Sequence, residues 1–400
     1  MKKLFRILAL TLSLVMLLSL AACGDDPAET TQSGNGSPQT SPTAGGSDAP
    51  ADSSPIRFAY LGPLTGDASQ YGIEMRNAIE LRVAQVNEAG GIDGHPVKLE
   101  VYDDKNDPKE AVNIANKIVE EGDIKVVFGP FSSTNAMAIS PIFQREGILH
   151  YAITASHPDV TKAGDYIFRG VCTQDTETRL FADFAYHTLG KRRVAVLYVN
   201  NDFGASINTI FEEAFPSLGG EIVAVENYME GQTKDFTPML TKLNAAQPDL
   251  LYIVAHYNDT ATILNQAATL DITCDKMGVT SIVKSETIEL AGENAEGFLA
   301  LSGFVLDAPS ERFQTFRQQY KDAYNGDEVD SFIMNAYDGI DIVLNAMEHV
   351  GTDIADVRDY MQGLTDYEGL AGKWSFDENR NPSKPLFPMK VENGQWVLVE

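Results

Sequence analysis

The chain has 400 residues, with 30 lysines and arginines against 57 aspartates and glutamates, and a formal charge of −27. That length implies two to three domains with large buried cores, and so acidic a surface repels nucleic acid and anionic lipid head groups. Three cysteines are too few for a disulfide framework.

Residues 1–22 read as a secretory signal, because Lys2, Lys3 and Arg6 precede an apolar run at 8–20 that is short for a membrane span. The ending Leu20-Ala21-Ala22-Cys23 resembles the bacterial lipobox, which implies cleavage before Cys23 and lipidation of that cysteine. Removal of the signal would take the formal charge to −30. Beyond Cys23, residues up to 55 are mostly Gly, Ser, Thr, Pro, Ala and Asp. Such a composition cannot bury enough to fold, and reads as a disordered tether spanning roughly 30 Å.

From residue 56 short apolar runs alternate with amphipathic segments. IRFAYLG leads through the loop GPLTGDASQYG into a helix in which Met75, Ile79, Val83 and Val86 recur at helical spacing and Gly90-Gly91 stop it. A run at 96–102, the turn DDKNDP, a helix at 108–121 with an early Pro108, and the stretch 126–156 follow. A second series has helices at 177–189, 203–215, 236–245 and 260–270, and runs at 193–199, 221–228, 249–255, 276–280 and 297–304. Two amphipathic helices come next, SERFQTFRQQYKDAY and SFIMNAYDGIDIVLNAMEHV. The end is hairpin-like, with WSF, PLFPMKV and WVLVE joined by turns such as Asn393-Gly394. This order predicts an α/β protein of two doubly wound lobes, each a mostly parallel sheet with helices on both faces.

The stretch 126–156 carries the chemistry. One strand ends at Gly129-Pro130 and is followed by Ser132, Ser133 and Thr134 at a helix start, and the next ends in Thr154 and Ser156. Ligands of open α/β sheets sit outside the carboxyl ends of the strands, and a helix start aims free N–H groups and a positive dipole end at them. The arrangement can grip a small carboxylate without a charged residue. The plainer reading makes the same hydroxyls helix caps and loop shapers. HExxH, GxSxG, GxxxxGK[ST] and CxxC are absent, and the six histidines lack metal-ligand spacing. Asp103, Lys105 and Asp107 alternate as in a calcium loop, but Pro108 and Ile114 stand where that loop is strict. Neither catalysis, a metal nor a cofactor is expected.

Taken together, IRFAYLGPLTGDASQYG, NEAGGIDGHPVKLEVYDDKNDPKEAVNIANKIV, FGPFSST and GILHYAITAS resemble the amino-terminal lobe of the solute-binding proteins of branched-chain amino acid ABC importers, which have a type I periplasmic binding fold. NDFGASI, KDFTPMLTKL and AEGFLALSGF continue the resemblance. It implies three crossings between lobes, near Thr173, Phe304 and Trp374, with a solute in the cleft. Lobe 1 would be residues 56–173 plus 305–373, and lobe 2 residues 174–304 plus 374–400. The implied role is a lipid-anchored extracytoplasmic binder, not an enzyme, that delivers its solute to an ABC transporter permease.

The resemblance also implies contacts. Ser133 and Ser156 match the carboxylate grip, and Thr154 the position whose backbone carbonyl meets the ammonium. Tyr71 matches an aromatic at the cleft mouth, and Phe131 and Phe332 match the side-chain pocket. From lobe 2, Phe203 and the pair His256 and Tyr257 match residues that close on the ligand. The departure is Thr280, where amino-acid binders commonly place a glutamate for the α-ammonium. A buried ammonium without an anion is costly. Either another acid substitutes, with Asp202, Asp259 and Asp338 as candidates, or the solute is not an α-amino acid. A family disulfide is impossible at the matching Asn106 and Ser132. The expected solute is therefore a branched-chain or related amino acid. The alternatives are a carboxylate or amide lacking the amino group, and a ligand-sensing lipoprotein that docks on a receptor.

Overall fold

Strand alternation builds the first lobe. In β1 (Ile56–Gly62), Phe58 and Tyr60 enter one core while Ala59 and Leu61 enter the core on the opposite face. The computed structural model describes residues 54–306, 310–325 and 328–399; the signal, Cys23 and all but the last two tether residues lie outside them. Strands β2 (Val97–Asp103), β3 (Val126–Phe128), β4 (Leu149–Ala152) and β5 (Ile167–Arg169) complete a parallel sheet of order β2-β1-β3-β4-β5. Helix α1 (Ser69–Glu88) covers the face of Phe58, and α2 (Pro108–Glu121) and α3 (Ser133–Arg145) cover the face of Leu61. Asp107 caps α2 by accepting from the N–H groups of Lys109 and Glu110, which accounts for the calcium-like spacing.

The second lobe repeats the plan. It contains α4 (Gln174–Asp183), β6 (Arg193–Val199), α5 (Asp202–Ser217), β7 (Glu221–Tyr228), α6 (Thr237–Ala245), β8 (Leu250–Val254), α7 (Tyr257–Thr269), β9 (Asp275–Gly278), α8 (Ser285–Ala291) and β10 (Leu299–Ser302). The chain then returns to the first lobe as α9 (Glu311–Ala323), α10 (Ser331–Val350) and α11 (Ile354–Gln362). Phe313, Phe316, Tyr320, Ile340 and Leu344 of α9 and α10 share a core with Phe58 and Phe128. Strands β11 (Tyr367–Gly369) and β12 (Gly372–Trp374) form a small antiparallel ribbon, and β13 (Phe387–Glu392) and β14 (Gln395–Leu398) add an antiparallel hairpin to the second sheet. Its order is β14-β13-β10-β9-β8-β6-β7.

Three differences from the sequence reading have physical causes. WSF is not part of the terminal hairpin, because β12 pairs with β11 through a tight Gly369 to Gly372 turn. The first helix of lobe 2 starts at Gln174, not 177, because Thr173 caps it by accepting from the Thr176 N–H. Helix α11 is too short to show a clear period in the sequence, although Asp353 caps it by accepting from the N–H groups of Ala355 and Asp356. Among the described residues no helix is long and apolar enough to cross a membrane.

Candidate functional site

The carboxyl end of β3 is shaped by backbone needs. Gly129 has φ of 102°, and a Cβ there would lie 1.9 Å from the Leu61 carbonyl oxygen, so only glycine fits. The Gly129-Pro130 peptide is cis. His150, fully buried, places Nε2 2.6 Å from the Gly129 carbonyl oxygen, and burial pushes its imidazole down to about 4, so it is neutral. The chain then enters α3, where Ser132 accepts from the Asn135 N–H as N-cap. At such a start the Ser133 and Thr134 N–H groups have no intrahelical acceptor. In the absence of a disulfide, the loop after β2 is tied to α3 by Asn135 Nδ2 donating to the buried Asp104 carboxylate at 2.9 Å.

Beyond β4, Arg169 shapes the second hydroxyl loop. Its buried guanidinium donates to the carbonyls of Ala155 and His157, at 3.2 and 2.8 Å, and so holds the loop that carries Thr154 and Ser156. The Thr154 hydroxyl donates to the Phe131 carbonyl oxygen at 2.9 Å, joining the two strand ends. Ser133 Oγ accepts from the His157 N–H at 3.3 Å, which leaves its own hydrogen to donate.

These elements open on a cavity between the two sheets. Eight residues singled out from sequence line it: Ser133, Thr154 and Ser156 as the polar wall of lobe 1, Phe131 and Phe332 beside them, and Phe203, His256 and Thr280 from lobe 2. Phe203 stacks on His256 with ring centroids 5.5 Å apart, and His256 lies 5.1 Å from Phe131. Two polar atoms of the lining, His256 Nδ1 and Ser281 Oγ, are buried without a hydrogen-bond partner among the described residues. Buried polar atoms normally have partners, and these two belong to residues of the lining.

Tyr71 and Tyr257 are placed differently. Tyr71 lies behind Phe131, stacked at 4.7 Å, and lines a separate depression at the mouth of the cleft. Its hydroxyl accepts from the Tyr257 N–H at 3.1 Å, so the aromatic expected to meet the solute instead joins lobe 1 to lobe 2. Tyr257 is buried against Tyr71 and does not line the cavity. Thr134, read as a cap, donates to Asp202 of lobe 2 at 2.7 Å.

The acid beside Thr280 is Glu177, in the first turn of α4. The Thr280 hydroxyl donates to Glu177 Oε2 at 3.3 Å, and both line the cavity. None of the three acids nominated from sequence stands there. Asp202 is taken by Thr134, Asp259 sits at the cleft mouth, and Asp338 is buried under the Leu370 N–H. Glu177 is half-buried in the cavity wall. Enclosure pushes its carboxyl up to about 8, against the opposing pull of the Thr280 hydrogen bond and the Arg169 charge. A cation in the cavity would reverse that shift. The site thus has hydroxyls and a helix start on lobe 1, a carboxylate on lobe 2 and aromatic rings beside them.

Two α/β lobes facing each other across such a cavity define a two-lobed solute-binding protein. The chain belongs to the periplasmic binding protein family, whose model matches residues 55–395. Relatives it resembles within that family are of the branched-chain amino acid type. The chain is 28% identical over 325 residues to the leucine-, isoleucine-, valine-, threonine-, and alanine-binding protein of Pseudomonas aeruginosa, covering 81% of this chain and 86% of that one. Among solved structures it is similar to the branched-chain amino acid transporter substrate binding protein of Streptococcus pneumoniae in complex with isoleucine, with 26% identity, a TM-score of 0.80, and 86% and 99% of the two chains covered. A leucine binding protein from Thermotoga maritima matches with 25% identity and a TM-score of 0.79, over 86% and 98%. These relatives are binding proteins, not enzymes.

Proposed function

We propose that this protein captures an α-amino acid, branched-chain or related, outside the cytoplasm and delivers it to the permease of an ABC transporter. The observation that carries the reading is Glu177. Its carboxylate stands beside Thr280, across the cavity from Ser133 and Ser156, and supplies the anionic partner an α-ammonium needs. The solute carboxylate is held by the Ser133 and Ser156 hydroxyls and the start of α3. Contacts to both lobes, residues 56–173 plus 305–373 and residues 174–304 plus 374–400, favour the closed state, and the permease reads closure. Lipidated Cys23 and the tether hold the protein at the membrane. The relatives named for leucine, isoleucine and valine support the same solute class.

One observation favours a rival. A carboxyl held up to about 8 can be neutral at pH 7 and donate a hydrogen bond, which suits a carboxylate lacking the amino group. A thermal-shift screen separates the two. A ligand that binds only the folded protein stabilises it by about 2.7 kcal/mol at one hundred times its Kd. Leucine, isoleucine or valine at millimolar concentration should raise the melting temperature, and their des-amino counterparts should not. The reverse pattern would overturn the amino-acid reading.

A further inference from the structure

Lys284 stands at the N-cap position of α8, and its carbonyl accepts from the Trp396 indole N–H at 3.0 Å, so its backbone is fixed to the terminal hairpin of lobe 2. Its side chain crosses into lobe 1. There Nζ lies 2.5 Å from Glu74 Oε2 on α1 and 2.5 Å from Asp330 Oδ2 at the start of α10, and all three residues are buried. The rings of Tyr71, Phe332 and Tyr257 stand 5.1, 5.7 and 5.9 Å from the ammonium. Glu286 reaches it only at 4.0 Å and from a partly exposed position, where water screens its charge. Tyr320 of α9 packs near both buried carboxylates. Burial pushes the phenols of Tyr71, Tyr257 and Tyr320 up, so they add no charge. One ammonium thus faces two enclosed carboxylates, an excess of negative charge that burial makes costly.

The two acids are not equivalent. Asp330 Oδ1 accepts from the N–H groups of Phe332 and Ile333, each at 2.9 Å, at the positive end of a 20-residue helix, and these donors favour a carboxylate there. Glu74 lies inside α1 and has, besides Lys284, only the neutral Gln70 amide at 2.7 Å. That amide, turned over, offers its oxygen to a protonated carboxyl. Burial first and the Asp330 charge second hold the Glu74 carboxyl above the ordinary range. We infer that Glu74 is a proton-binding site completed by closure, so that the protein takes up a proton each time it closes on a solute. With the lobes apart, Lys284 leaves with lobe 2, and water solvates the two carboxylates on lobe 1. On closing, the proton removes the excess charge. Capture is therefore tighter in acid and weakens as pH rises through the raised Glu74 value, as linkage requires of a carboxyl whose pKa closure raises. The inference rests on the two-lobe closure proposed above, and not on the identity of the solute.

Calorimetric titration of the mature protein with leucine, in buffers of different ionisation enthalpy at about pH 6.5, counts the protons, since an ordinary glutamate titrates near about 4.3. The natural protein should take up about one proton per leucine bound, and Glu74→Gln, which is neutral and keeps the hydrogen bonds, close to none. 4-Methylpentanoate adds the uptake at Glu177 to both proteins, so the difference between them stays at about one proton with either solute. No difference, in a complex whose radius of gyration by small-angle scattering falls on binding, overturns the proton site and leaves closure standing. No difference without that fall overturns both. Should neither compound bind, melting of the solute-free proteins decides. Between about pH 6 and 8 the natural protein should lose melting temperature relative to Glu74→Gln, and parallel profiles overturn the site.

Discussion

Ser133 and Ser156 reach the same space from different backbones, one at the first turn of α3 and one on a loop that Arg169 holds from beneath. A hydrogen bond to a charged group is worth about 1.5–3 kcal/mol. Replacing both hydroxyls, as Ser133→Ala with Ser156→Ala, should weaken amino-acid binding more than tenfold in calorimetry, and unchanged affinity would move the carboxylate grip elsewhere. These serines were legible in the sequence because each follows an apolar run, and strand ends are where open sheets hold ligands. Glu177 was not. TQDTETR reads as a capped helix start, where acids are favoured by the dipole alone. Asp175 obeys that reading and pairs with Arg179 in solvent, while Glu177, two residues on, faces the cavity. Only the approach of Thr280 from a distant loop separates the two roles.

At the scale of elements, an ion cluster behind the cavity-lining Phe332 joins the two lobes. Lys284, at the N-cap position of α8, lies 2.5 Å from Glu74 of α1 and 2.5 Å from Asp330, the N-cap of α10. All three are buried. Burial, then the Asp330 charge, pushes the Glu74 carboxyl up; burial opposes the charge on Lys284, but the adjacent carboxylates Asp330 and Glu74 outweigh it and keep the ammonium protonated. Removing one partner of a buried pair costs about 3–5 kcal/mol, because the other charges stay behind. In Lys284→Met the closed form should lose that amount. Small-angle scattering should show a larger radius of gyration in the presence of solute, and affinity should fall at least tenfold. An unchanged radius and affinity would show that the cluster does not hold the lobes. Sequence could not reveal it, since Lys284 is 210 and 46 residues from its partners and each reads alone as an exposed charge. The β-α order was legible because buried strands and amphipathic helices have different periods. The two-stranded β11-β12 ribbon, with three residues a side, is too short to show one.

For the whole molecule, the account is that an amino acid closes two lobes by giving Glu177 the cation it lacks. Glu177 in the open cleft should titrate near the ordinary glutamate value of about 4.3, and in the closed cavity without a cation at about 8. A raised carboxyl pKa means that closure takes up a proton, so that closed form is favoured at low pH and weakens as pH rises towards 8. A bound ammonium keeps Glu177 ionised and removes the uptake. Glu74 titrates on closure too, but it does so with either ligand and cancels in a ratio. The most direct measurement is therefore the affinity ratio of leucine to its des-amino analogue, 4-methylpentanoate, by calorimetry between about pH 6 and 7.5. The account predicts that the ratio favours leucine increasingly, by about tenfold per pH unit, and that Glu177→Gln makes it independent of pH. A ratio that is already flat in the natural protein, or that favours 4-methylpentanoate throughout, would contradict it.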